Sequence, residues 1–328
     1  MVIIYDCRLI FAQVIIAKKT QAMKTNPLFC DPQQALCELP EIKQAVSAEI
    51  TPPFKPIKII YFTDPICSTC WGIEPQLRKL KLQYGSFLQI DYRMGGLLAD
   101  WSYNSGGISK PSDVAGHWDE VSAHYQMPID GDVWIQDPLH SSYPPSVAFK
   151  AAELQGNDKA VLYLRRIREM VFLEKKNITR WEHLVDAATQ VGLNTHQFKM
   201  DYETSGQERF KADLALASAF GVRGFPTIFI SDGEKRQERV YGLKPYSVYE
   251  NVIKDLFPDA QKTEYHKEWE ALFSYFSTLT AKEFSELSGL SFLESEQLLG
   301  GLVREGKLSE FETRNGKLWK RMVSTAII

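Results

Sequence analysis

The stretch from Ile57 to Leu77 constrains the fold of this chain most tightly. It opens with an apolar, β-rich run, Ile57-Lys58-Ile59-Ile60-Tyr61-Phe62, and turns at Thr63-Asp64-Pro65. Such a run, closed by a proline turn, reads as a buried strand. Cys67-Ser68-Thr69-Cys70-Trp71 follows, and the spacing of Leu77, Leu80, Leu82 and Tyr84 among Lys and Arg reads as a helix. The two cysteines therefore fall on the first turn of a helix that follows a strand. A helix N-terminus carries free N–H groups and about half a positive charge, which favours an anion. A thiol placed there is more acidic, and the thiolate is the nucleophile. Two intervening residues bring the second sulfur round within reach of a disulfide. Pro75, five residues past Cys70, should kink this helix.

A second landmark lies far downstream. Gly221-Val222-Arg223-Gly224-Phe225-Pro226 leads into the apolar strand Thr227-Ile228-Phe229-Ile230. Strand, Cys-x-x-Cys, helix with proline, and a later proline loop before a strand together resemble the thioredoxin superfamily. Pro226 lies 159 residues after Cys67. That interval resembles the DsbA group, which carries a helical domain between the two motifs. Cys67-Ser68-Thr69-Cys70-Trp71-Gly72-Ile73-Glu74-Pro75 and Gly95-Gly96-Leu97-Leu98 resemble protein-disulfide isomerase-like members. They also resemble the YjbH/SpxH-type adaptors of the ClpXP protease. The resemblance covers roughly residues 56–262. It implies a thioredoxin-like α/β fold with a helical insertion and no cofactor or bound metal. It implies Cys67 as an exposed thiolate nucleophile and Cys70 as the resolving thiol. It also implies a cis bond before Pro226, whose preceding backbone would hold a substrate strand. Trp71 and Phe225 would line the groove, unless they serve as core aromatics. Asp64 or Glu74 would shuttle the proton as Cys70 ionises.

The rest of the chain bounds these readings. Its 328 residues suggest two or three domains. A net charge of −3 gives no reason to expect a nucleic-acid or membrane partner. No apolar stretch reaches the roughly 18 residues of a membrane span. Near the N-terminus, Asp6 comes early and Lys18-Lys19 follow the apolar run, the reverse of a signal peptide's charge order. Residues 1–22 therefore read as an extension outside the fold, with Met23 as a natural start and the cytoplasm as the compartment. All five cysteines, Cys7, Cys30, Cys37, Cys67 and Cys70, lie in the first 70 residues, which is no disulfide framework. Cys30 and Cys37 are read as unrelated thiols, as an accessory pair exchanging with Cys67 and Cys70, or as half of a four-thiolate zinc site. The six-residue gap is loose for zinc.

In order, residues 1–55 read as an irregular, proline-rich arm, with a turn of helix near Glu41–Ser47. Residues 56–140 and 218–262 form the thioredoxin-like domain. Within it Leu88–Met94 is a second strand, and residues 101–140 read as a long loop. Residues 141–217 read as a five-helix insertion, the third helix opened by a Thr179–Glu182 capping box. Ser231-Asp232-Gly233 reads as a hairpin turn leading to a strand at Glu238–Tyr241, and Pro245–Phe257 as a closing helix. Residues 263–328 form a separate unit. Thr280–Glu283 and Ser291–Glu294 are capping boxes, and Asn315-Gly316 between apolar runs is a hairpin. Three helices and a hairpin resemble a winged helix. Residues 264–328 nevertheless hold ten acidic residues against eight basic ones, a net −2, and Glu294 and Glu296 sit where a recognition helix would face phosphate. A protein-docking or structural role follows.

Two main functions remain open. One is a thiol–disulfide oxidoreductase or isomerase acting on protein clients. The other is a cytoplasmic protease adaptor that holds a client, such as a transcription factor, on its thioredoxin-like face. A glutathione-dependent isomerase of the kappa-transferase type fits the insertion, but that group has a single Ser or Cys in place of the pair.

Overall fold

The computed structural model describes residues 29–31, 36–38, 55–102 and 108–322. The expectations for residues 1–22 and Glu41–Ser47 lie outside them. The chain forms two compact units, Met1–Pro52 and Pro53–Ile328. In the first, strands β1 (Phe29–Asp31) and β2 (Leu36–Glu38) pair antiparallel, with Cys30 opposite Cys37. The sequence reading took this arm as irregular, because three-residue strands are too short to show a period.

The second unit is built on a four-stranded sheet of order β4-β3-β5-β6. Its strands are β3 (Ile57–Thr63), β4 (Leu88–Met94), β5 (Thr227–Ser231) and β6 (Gln237–Tyr241). β3 pairs parallel with β4 and antiparallel with β5. Central β3 is almost wholly buried, as its continuous apolar run requires. The parallel β3–β4 step needs a crossover, which the helix pair α1 (Ser68–Gly72) and α2 (Glu74–Tyr84) supplies. Pro75 does more than kink this crossover. The helix breaks at Ile73, and proline starts α2, where its missing N–H costs nothing.

Residues 101–140 depart from the reading as a loop. Helix α3 (Pro111–Tyr125) and the short α4 (Val133–Gln136) lie here. Pro111 starts α3, and the Asp113 carboxylate accepts from the N–H groups of Ser109 and Lys110. Val114, Ala115, Trp118, Val121 and Ser122 form its buried face. Gly116, Ser112 and the histidines disguised that period. The helical insertion follows as α5 (Tyr143–Glu153), α6 (Asn157–Phe172), α7 (Trp181–Gln190), α8 (Thr195–Glu203) and α9 (Ser205–Ala219). The Thr179–Glu182 box is not made. Arg180 is the N-cap of α7, and the Thr179 hydroxyl instead donates to Asn177 Oδ1 at 2.6 Å. Helix α10 (Tyr246–Leu256) closes the sheet.

The tail runs α11 (Trp269–Tyr275), β7 (Thr278–Thr280), α12 (Ala281–Ser288), α13 (Phe292–Arg304), β8 (Leu308–Thr313) and β9 (Gly316–Arg321). Its sheet order is β7-β9-β8. Both capping boxes form as read, and Gly289, at φ 85°, ends α12 in the left-handed conformation that glycine tolerates. The tail has its own core of Leu272, Phe273, Leu279, Phe284, Leu287, Leu299, Leu302 and Trp319. Among the described residues no helix is long and apolar enough to cross a membrane.

Candidate functional site

Both cysteines lie where β3 hands over to α1. Cys67 is the N-cap of α1, and its Sγ accepts the N–H of Cys70 at 3.1 Å. That bond turns the sulfur back over its own helix instead of outward. Cys67 is only 5% exposed and Cys70 is fully buried. The sequence reading expects an exposed thiolate at Cys67, and the fold buries both sulfurs instead. Burial pushes the Cys67 thiol well up, and the adjacent Cys70 adds to this. Burial opposes ionisation of Cys70 too. There the hydrogen bond from Cys67 and the charge of Arg168, helped by Thr63 and Asp64, outweigh it, and the thiol falls below its ordinary value.

Arg168 is absent from the sequence reading. It sits on α6, about a hundred residues downstream, and is fully buried. Its Nη2 donates to Thr63 Oγ1 at 2.6 Å and to the Asp64 carbonyl at 3.3 Å, and its Nη1 pairs with Glu74 at 2.6 Å. A signal was available. Arg165, Arg168 and Glu169 interrupt the apolar positions Leu164, Ile167, Met170 and Val171, and a charge on the buried side of a helix needs a partner.

Asp64 is fully buried, accepting from Ile66 N at 3.0 Å, Leu97 N at 2.7 Å and Ser142 Oγ at 2.8 Å. Burial, against these bonds and the charge of Arg168, raises its carboxyl to about 6. That suits a group exchanging protons near neutral pH. Glu74 does not fit the shuttle role. It is tied to Arg168 at 2.6 Å and lies 3.9 Å from Arg78, so it serves as an ion-pair bridge.

Trp71 does not line a groove. One residue past Cys70, it points into the core. It is fully buried, its Nε1 donates to the Pro128 carbonyl at 3.0 Å, and its ring stacks on Phe172 at 5.5 Å. The Arg165 guanidinium covers the ring at 4.3 Å. Phe225 is half-buried, and the Phe225–Pro226 bond is cis. The Phe225 ring crosses Gly95 so closely that a Cβ there would meet it at 1.9 Å. The Pro226 carbonyl accepts the N–H of Gly242 at 2.9 Å. Cys30 and Cys37 belong to the other compact unit.

A buried charge network runs from this site into the tail. Glu283, on the first turn of α12, is fully buried. It takes two hydrogen bonds from Arg165, at 2.7 and 3.1 Å, and lies 3.2 Å from Arg78 Nε. Arg78 also donates to the Thr278 carbonyl at 2.7 Å, and Arg165 pairs with Glu169 at 2.7 Å. The hairpin tip is tied down as well. Arg314 pairs with Asp119 and Asp132, while Asn315 donates to Asp119 Oδ1 and to the Ile129 carbonyl, both at 2.7 Å.

The thioredoxin family model matches residues 61–251. A candidate protein disulfide isomerase of Nitrosomonas europaea superposes with a TM-score of 0.54 at 18% identity, over 61% of this chain and 96% of that one. This likeness shows the fold. The ClpXP adapter protein SpxH of Halalkalibacterium halodurans is 31% identical over 301 residues, 90% of this chain and 97% of that protein. SpxH of Bacillus subtilis is 31% identical over 275 residues, 82% of this chain and 91% of that protein. With the thioredoxin match over residues 61–251 and 31% identity over 90% of its length, the chain belongs to the SpxH family of ClpXP adapter proteins.

Proposed function

We propose that this protein is a cytoplasmic adaptor that binds a client protein, such as a transcription factor, and presents it to ClpXP. The observation that carries this reading is the 31% identity to a ClpXP adapter protein over 90% of this chain and 97% of that protein, a longer span than the thioredoxin match alone. The client would lie on the face around Phe225 and Pro226. The tail, with its helix-strand-helix-helix-hairpin order, would be a winged-helix-like docking or stabilising domain. Its hairpin tip is hydrogen-bonded to Asp119 and to the Ile129 carbonyl, which supports a structural use over insertion into DNA. The test is degradation of a candidate client by purified ClpXP, with and without this protein. Faster client loss that persists in Cys67→Ser and Cys70→Ser supports an adaptor working by binding. No acceleration with any client that the protein binds would count against it.

A second reading, thiol–disulfide exchange by Cys67 and Cys70, is favoured by the place of both cysteines at the start of α1, where the Cys67 sulfur accepts the Cys70 N–H at 3.1 Å. In it, a Cys67 thiolate attacks a client disulfide and expels one client thiolate. Cys70 then attacks the mixed disulfide, freeing the second client thiolate and leaving Cys67–Cys70 oxidised. Reduction of insulin by dithiothreitol, speeded by the intact protein and not by Cys67→Ser, would support it.

A further inference from the structure

Residues 125–130 lie between the cysteine helix α1 and the tail, and both hold them. On the α1 side, Trp71 Nε1 donates to the Pro128 carbonyl at 3.0 Å. The Tyr125 hydroxyl lies 3.4 Å from Thr69 Oγ1, and its ring crosses Gly72 so closely that a Cβ there would meet it at 2.6 Å. On the tail side, the Thr280 hydroxyl donates to Met127 Sδ at 3.2 Å, and Asn315 Nδ2 donates to the Ile129 carbonyl at 2.7 Å. Gly316 packs on Pro128, where a Cβ would meet the Pro128 Cβ at 3.0 Å, and Arg314 lies 3.9 Å from the Asp130 carboxylate. Pro128 therefore touches the tail and Trp71 at once. The segment is also fixed in shape. Ser122 Oγ donates to the Met127 carbonyl at 2.8 Å and accepts from Ile129 N at 3.0 Å. Gln126 sits at φ 56°, a left-handed conformation that a residue other than glycine keeps only where its surroundings impose it. Helix α1 has little of its own to hold it, since it is five residues long and a helix that short depends on its packing. Trp71 is its largest buried side chain, and two contacts of the indole lead to the tail. One is the Pro128 carbonyl, braced by the hairpin, and the other is the Arg165 guanidinium at 4.3 Å, held by Glu283. Cys67 belongs to the same turn, because its Sγ accepts the Cys70 N–H.

We propose that residues 125–130 form a strap through which the docked tail keeps the dithiol covered, an autoinhibitory contact built into the fold. With the tail in place, the strap fixes Trp71 and Tyr125, these hold α1, and Cys67 stays only 5% exposed. When a partner draws the tail away, the strap loses its contacts at Met127, Pro128 and Ile129. The indole then loses its fixed acceptor, and the first turn of α1 opens to solvent. No bond to sulfur forms or breaks in this step. Its use in disulfide exchange rests on the second reading above, whereas access to Cys67 does not depend on that reading.

The test is the rate at which iodoacetamide alkylates Cys67 in the reduced full-length protein, read by peptide mapping well below the melting midpoint. It uses no ClpXP, client or disulfide, so its failure is distinguishable from failure of either reading above. Asn315→Ala removes the bonds to Ile129 and Asp119, and Trp71→Phe removes the bond from α1 to the strap while keeping a ring. Each should raise the Cys67 rate about fivefold or more, the change expected when one or two hydrogen bonds that oppose local opening are lost. Because both act through one strap, the double variant should gain clearly less than the product of the two single gains. A loss of stability elsewhere should not have this effect. Phe198→Leu, in the insertion where that ring packs on Tyr163 and Trp181, should lower the melting midpoint and leave the Cys67 rate unchanged. If Asn315→Ala does not fold, Arg314→Met carries the test through loss of its pairs with Asp119 and Asp132, with a smaller rise expected. An unchanged Cys67 rate in either folded single variant, or in Arg314→Met where it carries the test, overturns the proposal. So does a double variant that gains the full product, or an equal rise in Phe198→Leu.

Discussion

Replacing Glu283 probes the tie between the tail and the thioredoxin-like part. Its carboxylate caps α12 through the Thr280 N–H at 2.8 Å and faces Arg165 and Arg78, with no exposure to solvent. Burial works against the charge, yet the two guanidiniums hold the carboxyl below its ordinary value. Glu283→Ala removes the anion and leaves Arg165 with Glu169, and Arg78 with Glu74 at 3.9 Å. Removing one partner of a buried pair costs about 3–5 kcal/mol, because the other charge stays buried. At roughly 2 °C per kcal/mol for a unit of this size, the melting midpoint should fall by about 6–10 °C. Glu283→Gln keeps the shape and one cap acceptor, and should fall at the low end. Calorimetry gives the loss. Trp71 fluorescence gives its location, since the Arg165 guanidinium lies on that ring. Adding Arg165→Met to Glu283→Gln should recover part of the stability, as apolar replacement of a buried pair often does. Losses under about 1 kcal/mol for both single variants, with no coupling to Arg165, would refute this account of the network.

Asp64 should give stability a distinctive pH dependence. Its folded value of about 6 lies above 3.8, so between them the folded chain binds more protons than the unfolded one. The stability from this group is full below about pH 4 and is lost as pH rises through about 6. The loss is about 3 kcal/mol at roughly 1.4 kcal/mol per pH unit. Asp64→Asn should flatten the slope of denaturant-derived stability over that window, and an unchanged slope would contradict it. The full-length protein should show no salt-sensitive affinity for duplex DNA in anisotropy titrations. Micromolar binding at about 150 mM salt that weakens steeply with added salt would reverse that expectation.

Much of the fold was legible because its signals are local. Cys67 to Cys70 at the start of α1, Pro75 at the start of α2, the Thr280 and Ser291 capping boxes and the Asn315-Gly316 turn each depend on residues within one or two turns of chain. Helix α3 was missed because its buried face is built partly from Ser122 and Ala115, which carry little hydropathic contrast, and its start signal is a Lys110–Asp113 pattern. Strand β7 was missed because three residues cannot show a period.

The candidate site divides in the same way. The two sulfurs, their place on a helix N-terminus and the loop that ends at Pro226 were determined by the sequence, because hydrogen bonding and side-chain period over a few residues leave little choice. The tertiary structure alone decided that Trp71 is a core anchor, that Glu74 is a bridge, and that Cys67 is covered. It alone brought Arg168 from α6 to Thr63, and Glu283 from the tail to Arg165. The physical reason is that the environment of a buried charge is set by whichever distant elements pack over it, and no short stretch of chain contains that information.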